Sequence, residues 1–318
     1  MNAQPTRVVV AGLPRAGTTW VGQALGQTRG AVYVHEPDNH RHTAYALRAK
    51  RGLGAFPWLR KGDDAGEYGC LWDWAFEGAP ARPRIDGVVK RLQSRAGEVD
   101  LDTAVTPGAR ASLLTRSVAA AARRPRNGST GAQAVIVKTV QGSLALEWIA
   151  ARQRARVVVV QRHPLNVISS WDEMGFHDLG EIPRDVAARY CARWGIEPTE
   201  PNGSVLARTA WRVGFHMSVL EEVLKANPDF IGVSHDELCL SPVNGLRQLA
   251  ERCGLAWSEE AEAFVTGSNR PGYGYDVHRI TAEQPNRWRE RLTASQVDEA
   301  MRVLGAFPVG RCEAEAVR

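Results

Sequence analysis

The stretch VVVAGLPRAGTTW, Val8 to Trp20, restricts this chain more than any other. An apolar strand runs into Gly12, a turn follows, and a helix begins near Gly17-Thr18-Thr19. At such a junction the first backbone N–H groups of the helix have no intrahelical partner, and the helix dipole adds partial positive charge. An anionic phosphate therefore binds there with little further help. The spacing Gly12-x4-Gly17 is that of a phosphate loop. In an NTPase the second glycine is followed by a lysine that reaches the β- and γ-phosphates, and the next hydroxyl binds magnesium. Here Thr18 takes the lysine's place, and the loop's cation is Arg15. That exchange suits one phosphate with an adjoining anionic group better than a triphosphate.

Apolar, β-branched runs of strand length occur at 7–11, 31–34, 134–137, 156–160 and 230–233, and several are continuous rather than alternating. Continuous runs fit strands covered on both faces. Helical patterns at 18–25, 143–154, 165–174 and 208–226 lie between most of them, and others follow at 245–253 and 294–304. This alternation predicts an α/β fold with right-handed crossovers: a three-layer sandwich around a central parallel sheet of about five strands, phosphate-loop NTPase-like. One domain is expected over 1–318. Between about 38 and 133 the pattern weakens into Arg/Gly/Pro-rich chain, with one helix expected at 111–123 and a loop at RRPRNGSTGAQ. Trp58, Trp72 and Trp74 argue that this stretch is an insertion over the sheet, a cap on the acceptor side, rather than a linker.

With 44% hydrophobic and 24% charged residues in 318, the chain can bury a full core, and disorder is excluded. No apolar run approaches the ~18 residues of a membrane span, and no secretory signal opens the sequence, so a cytoplasmic location is expected. HDEL at 235–238 is interior and is no retention address. The five cysteines are scattered without a CxxC pair, which favours neither a disulfide framework nor a zinc site. Net charge is +5 without basic blocks, which suits an anionic ligand rather than nucleic acid. Only five of the 40 basic residues are lysine, so Lys138 at the end of an apolar strand stands out.

A second segment, RVVVVQRHPLNVISSW from Arg156 to Trp171, ends a buried strand on Gln161-Arg162 and places Ser170 eight residues beyond Arg162. Ligands of open α/β sheets bind at strand carboxyl ends, and a guanidinium can grip phosphate bidentately. Where an NTPase would end its strand on a magnesium-binding Asp, this strand ends on a base. The plainer alternative is an arginine capping a strand.

Together, PRAGTTW and the Arg162/Ser170 pair resemble the sulfotransferases that use 3′-phosphoadenosine-5′-phosphosulfate (PAPS). The resemblance implies a 5′-phosphosulfate site at Arg15, Ala16, Gly17, Thr18, Thr19 and Trp20, and a 3′-phosphate site at Arg162 and Ser170, one at each end of the adenosine. The segment HRITAEQPNRWRERL resembles the family's C-terminal loop and adds Arg279 and Arg287 as 3′-phosphate contacts. Where the cytosolic small-molecule branch carries Lys-Thr-His, this chain has Lys138-Thr139-Val140. The lysine is kept and the histidine base is missing. Glu36, closing the second strand in VYVHEPDNH, occupies the position from which glutamate serves as base in the carbohydrate, tyrosylprotein and some bacterial sulfotransferases. A solvated Glu36 is the alternative. His35 is the fallback base, weakened because strand alternation sends it to the other face.

The resemblance implies sulfuryl transfer from PAPS to a hydroxyl of a small-molecule, lipid or glycan acceptor, with Glu36, Lys138 and Arg15 catalytic and no metal or nucleic acid. Lys138 would stabilise the departing phosphate. A metal site at His35, His40 and His42 is disfavoured, since the latter two read as solvated loop residues. Trp58, Trp72, Trp74 and Trp171 are candidates for an acceptor pocket or for plain core. A nucleotide kinase or other NTPase, and a non-catalytic polyanion-binding module, are the competing functions. A homo-oligomer stays open.

Overall fold

The computed structural model describes residues 4–41, 43–77, 101–109, 112, 131–176, 182–274 and 276–309. The expected strands all form: β1 (Thr6–Ala11), β2 (Ala31–His35), β3 (Ala134–Thr139), β4 (Arg156–Gln161) and β5 (Ile231–Ser234). They pair in parallel in the order β2-β3-β1-β4-β5. Helices α1 (Thr18–Gly26), α2 (Ala44–Ala49), α3 (Gly66–Phe76) and α4 (Leu101–Val105) precede β3. Next come α5 (Leu146–Gln153), α6 (Pro164–Met174), α7 (Arg184–Trp194) and α8 (Val205–Ala226). After β5 lie α9 (His235–Leu240), α10 (Pro242–Arg252), α11 (Glu259–Ser268), α12 (Trp288–Arg291) and α13 (Ala294–Leu304).

Strand periodicity sorts the sheet's side chains into two layers. Val9, Val137, Val157 and Val159 pack with the Trp72, Ile149, Ile168, Phe215 and Leu304 side chains of α3, α5, α6, α8 and α13. On the other face Val8, Val10, Ile136 and Val158 pack with Val21, Leu238, Leu249 and Val265 of α1, α9, α10 and α11. Both faces are covered, as the continuous apolar runs require. The chain places β3 and β2 on one side of β1 and β4 and β5 on the other, so the sheet reverses direction at β1 and a crevice opens beyond the strand carboxyl ends.

The segment after residue 38 is more ordered than its composition predicts. Helices α2, α3 and α4 fold there, with Leu101 and Val105 closing on Leu47. Helix α3, GEYGCLWDWAF, carries two glycines and four aromatic rings, poor helix formers with no single apolar stripe. Burial of Tyr68, Leu71, Trp72, Trp74 and Phe76 overrides propensity. Those tryptophans, like Trp171, are core. The helix expected at 111–123 lies outside the described residues apart from residue 112, and of the loop RRPRNGSTGAQ only 131–133 are described. Among the described residues no helix is long and apolar enough to cross a membrane.

Candidate active site

The loop after β1 is shaped by glycine at two points. A Cβ on Gly12 would sit 2.5 Å from the Val160 carbonyl oxygen, and Gly17, with φ of 91°, would drive one to 2.0 Å from the His235 ring. The first N–H of α1 to find an intrahelical carbonyl is that of Val21, on Gly17. Those of Thr18, Thr19 and Trp20 precede it at the helix N-terminus, where no intrahelical carbonyl is available. Ala16 departs from expectation. Its N–H donates to the Leu13 carbonyl at 3.1 Å, and the buried residue braces the turn without lining the cavity that opens at the strand carboxyl ends. Gly17→Ala is expected to cost about 1–3 kcal/mol in backbone strain alone. Thermal melts should show a drop of several degrees; a wild-type melting temperature would mean that the backbone at 17 can leave its left-handed conformation at no cost.

The carboxyl ends of the strands open into a cavity of about 370 Å³. Arg15, Gly17, Thr18, Thr19, Trp20, Glu36, Lys138, Arg162, Ser170 and Arg279 all line it. Arg287 does not; Arg291, one turn further along the chain, takes its place. His235 and Cys239, inside the HDEL segment set aside as an address, also line it. His235 became visible only once the fold laid α9 beneath Gly17.

The two anion cradles expected at opposite ends of a ligand are tied together. Arg15 Nε donates to Ser170 Oγ at 3.0 Å, and Arg162 Nη1 donates to the Arg15 carbonyl at 2.9 Å. Trp171 Nε1 anchors the same loop through the Pro14 carbonyl at 2.8 Å. Arg162 is 8% exposed. Its remaining contacts are the main-chain and side-chain oxygens of Gln284 at 3.3 and 3.4 Å, and its buried Nε has no partner. No carboxylate pairs with it among the described residues. Burial lowers its pKa to about 10, with Asp236 nearby opposing.

Glu36 ends β2 in a left-handed conformation, φ 43°, while its N–H still donates to the Lys138 carbonyl at 2.8 Å. That kink breaks strand alternation, so His35 and Glu36 both line the cavity, contrary to the opposite faces expected. The carboxylate is buried, not solvated. Lys138 Nζ donates to Oε1, Asn39 Nδ2 donates to Oε2 at 2.5 Å, and His35 Nε2 lies 3.9 Å from Oε1. Desolvation opposes ionisation of Glu36, but the Lys138 and His35 charges and the two hydrogen bonds outweigh it and hold its pKa at about 2.

His40 is likewise buried, against expectation, with Nε2 2.6 Å from Asp102 Oδ1 and Nδ1 3.2 Å from Gln141 Oε1. His42 lies outside the described residues. Among the described residues no group of three or more His, Cys, Asp or Glu side chains is placed to hold a metal ion. Trp58 is half-buried under the Arg60 and Arg189 guanidinium groups and does not line the cavity. Lys50, fully buried beside Gln141, was legible only as one of the rare lysines.

A family model described as "Sulfotransferase family" matches residues 5–259. Among solved structures, a sulfotransferase domain from the curacin biosynthetic pathway aligns at 12% identity with a TM-score of 0.49, covering 96% of this chain and 98% of that one. A mouse sulfotransferase complexed with PAP aligns at 10% identity and 0.45, covering 99% and 90%. A sulfotransferase from Alicyclobacillus acidocaldarius aligns at 15% and 0.38, covering 98% and 100%. A search of curated protein sequences finds no match.

Proposed function

The chain belongs to the sulfotransferase family, and on that premise we propose that it transfers the sulfuryl group of PAPS to a hydroxyl of a small-molecule, lipid or glycan acceptor. The observation that carries the donor assignment is Arg162, a buried cation on the cavity wall with only neutral oxygens as partners. Burying an unpaired charge is costly, and an anionic ligand relieves that cost. In this proposal the N–H groups of Thr18, Thr19 and Trp20, with Arg15, hold the phosphosulfate. Arg162 and Ser170 hold the 3′-phosphate, and Arg279 and Arg291 add positive charge nearby.

The acceptor oxygen attacks sulfur in line. The bond from sulfur to the bridging oxygen breaks, its electron pair stays on the 5′-phosphate, and the acceptor's proton passes to Glu36. Lys138 neutralises charge on the leaving oxygen. Since Lys138 donates to Glu36 in this structure, it must shift from carboxylate to phosphate, and that shift frees Glu36 as a base. No step is assigned to a metal, because side-chain cations already stand where charge develops. The single-domain organisation, with the stretch from about 38 to 133 as a cap over the acceptor, belongs to the same proposal, as does a cytoplasmic location.

3′,5′-Adenosine bisphosphate (PAP) should stabilise the protein in the presence of chelator by about 2.7 kcal/mol at a hundredfold excess over its dissociation constant. ATP with magnesium should give far less. Equal or greater stabilisation by magnesium-ATP would favour an NTPase and end this proposal.

A further inference from the structure

Gln141 follows β3 at the β2–β3 end of the cavity, and both ends of the residue are fixed from behind. Its N–H donates to Thr139 Oγ1 at 3.2 Å, and that hydroxyl in turn donates to the buried Asp38 at 2.8 Å. Its side-chain oxygen receives Lys50 Nζ at 2.7 Å and faces His40 Nδ1 at 3.2 Å. An ammonium has only donors. The orientation of the carboxamide is therefore set: Oε1 must face Lys50, and Nε2 must face the other way. Lys50 cannot easily move, because it is fully buried and also donates to the Ala55 carbonyl. His40 is pinned by Asp102, which also accepts from Arg41.

The residue is 6% exposed and lines the cavity, and Nε2, which donates to no protein atom among the described residues, is not one of the atoms sealed from solvent. It therefore reaches the cavity, where a ligand oxygen takes its N–H in exchange for water. Around it, Arg41 is matched by Asp102, and once Lys138 has moved to the donor the Glu36 carboxylate faces the acceptor and repels an anion. The adjoining wall is apolar, formed by Val140 and by Phe56, whose ring packs 4.5 Å from that of His216. Beside that carboxylate and this apolar wall, the Gln141 N–H offers a neutral acceptor a donor without asking it to bring a charge.

We propose that the acceptor is an uncharged hydroxy compound carrying a second oxygen that accepts a hydrogen bond, and that the Gln141 amide N–H, aimed by Lys50 and His40, reads that oxygen. The proposal rests on the sulfotransferase assignment above. It makes Gln141 a specificity-determining residue, and Lys50 and His40 positioning residues behind it.

The test compares sulfation of cyclohexanol with that of tetrahydropyran-3-ol, its near-isostere with a ring ether oxygen, and of cyclohexane-1,3-diol, using PAPS as donor. The wild-type protein should favour the ether and the diol over cyclohexanol in kcat/KM by several-fold, up to about tenfold. Gln141→Glu keeps an oxygen for Lys50 and His40, so the variant should fold, but it presents an acceptor where the donor stood. It should lose the preference for the ether and keep that for the diol, whose hydroxyl can donate, with PAP affinity unchanged. Equal rates for the three alcohols, no turnover of any of them by a protein that binds PAP, or an ether preference surviving in Gln141→Glu would each overturn the inference. Failure to bind PAP would instead overturn the donor assignment beneath it.

Discussion

Glu36→Gln is expected to lower kcat by about 10²–10⁴-fold, the range that a general base supplies, while leaving the donor site able to bind. The variant also leaves Lys138, itself only 2% exposed, with a neutral amide for a partner in place of a carboxylate. Breaking a buried pair from one side destabilises by on the order of 3 kcal/mol, so the ligand-free variant should melt earlier than the parent. PAP should then stabilise the variant more than the parent, because its phosphate restores a counter-charge to Lys138 that no carboxylate contests. Melting curves with and without PAP, together with turnover, check all three effects. Unchanged turnover removes Glu36 as the base.

The pH dependence follows from the same pair. Paired with Lys138, the Glu36 carboxylate has a pKa of about 2, below the ordinary 4.5. A group depressed on folding adds stability that is fully present above its unfolded value and lost as pH falls through its folded one. The Glu36 contribution should therefore fade between about pH 4.5 and 2. A carboxylate held this low is also a weak base near neutrality, since transfer is best when the catalytic pKa approaches the working pH. Lys138 must leave it for the donor first. The acid limb of kcat, which reports the ternary complex, should lie at higher pH than the acid limb of kcat/KM, which reports the free protein. Coincident limbs would mean that the ion pair persists through the reaction.

The chain was most legible where a local signal and the tertiary outcome agree. Val8 to Trp20 reads as strand, loop and helix because β-branched residues, two sterically required glycines and a helix N-terminus follow one another without interruption. Arg162 and Ser170 were legible because a strand end and the first turns of the next helix are close in sequence as well as in space. The acceptor side was not. Helix α3 forms through burial that its own propensities oppose, and the Lys50–Gln141–His40–Asp102 contacts join residues up to 101 positions apart. Nothing in a local window announces such pairings. Glu36 shows both sides of this: its place at a strand end was legible, but the positive φ that brings it into the cavity beside His35 was not.

Arg162→Met should separate binding from folding. Losing a charged partner from a buried, hydrogen-bonded contact typically costs 2–5 kcal/mol, so PAP affinity is expected to fall by about 10²–10³-fold. The ligand-free fold should respond far less. The guanidinium is 8% exposed, its Nε has no partner, and burial already pulls its pKa down to about 10, all marks of a charge held at a cost to the empty protein. Methionine fills similar space without that desolvation, offsetting the hydrogen bonds lost at the Arg15 and Gln284 carbonyls. The variant's melting temperature should therefore stay near that of the parent, or rise, while PAP no longer shifts it. An equally large fall in stability without ligand would make Arg162 a structural brace for the phosphate loop, and PAP binding retained in a folded variant would move the 3′-phosphate to another cation, with Arg291 on the same wall as the next candidate.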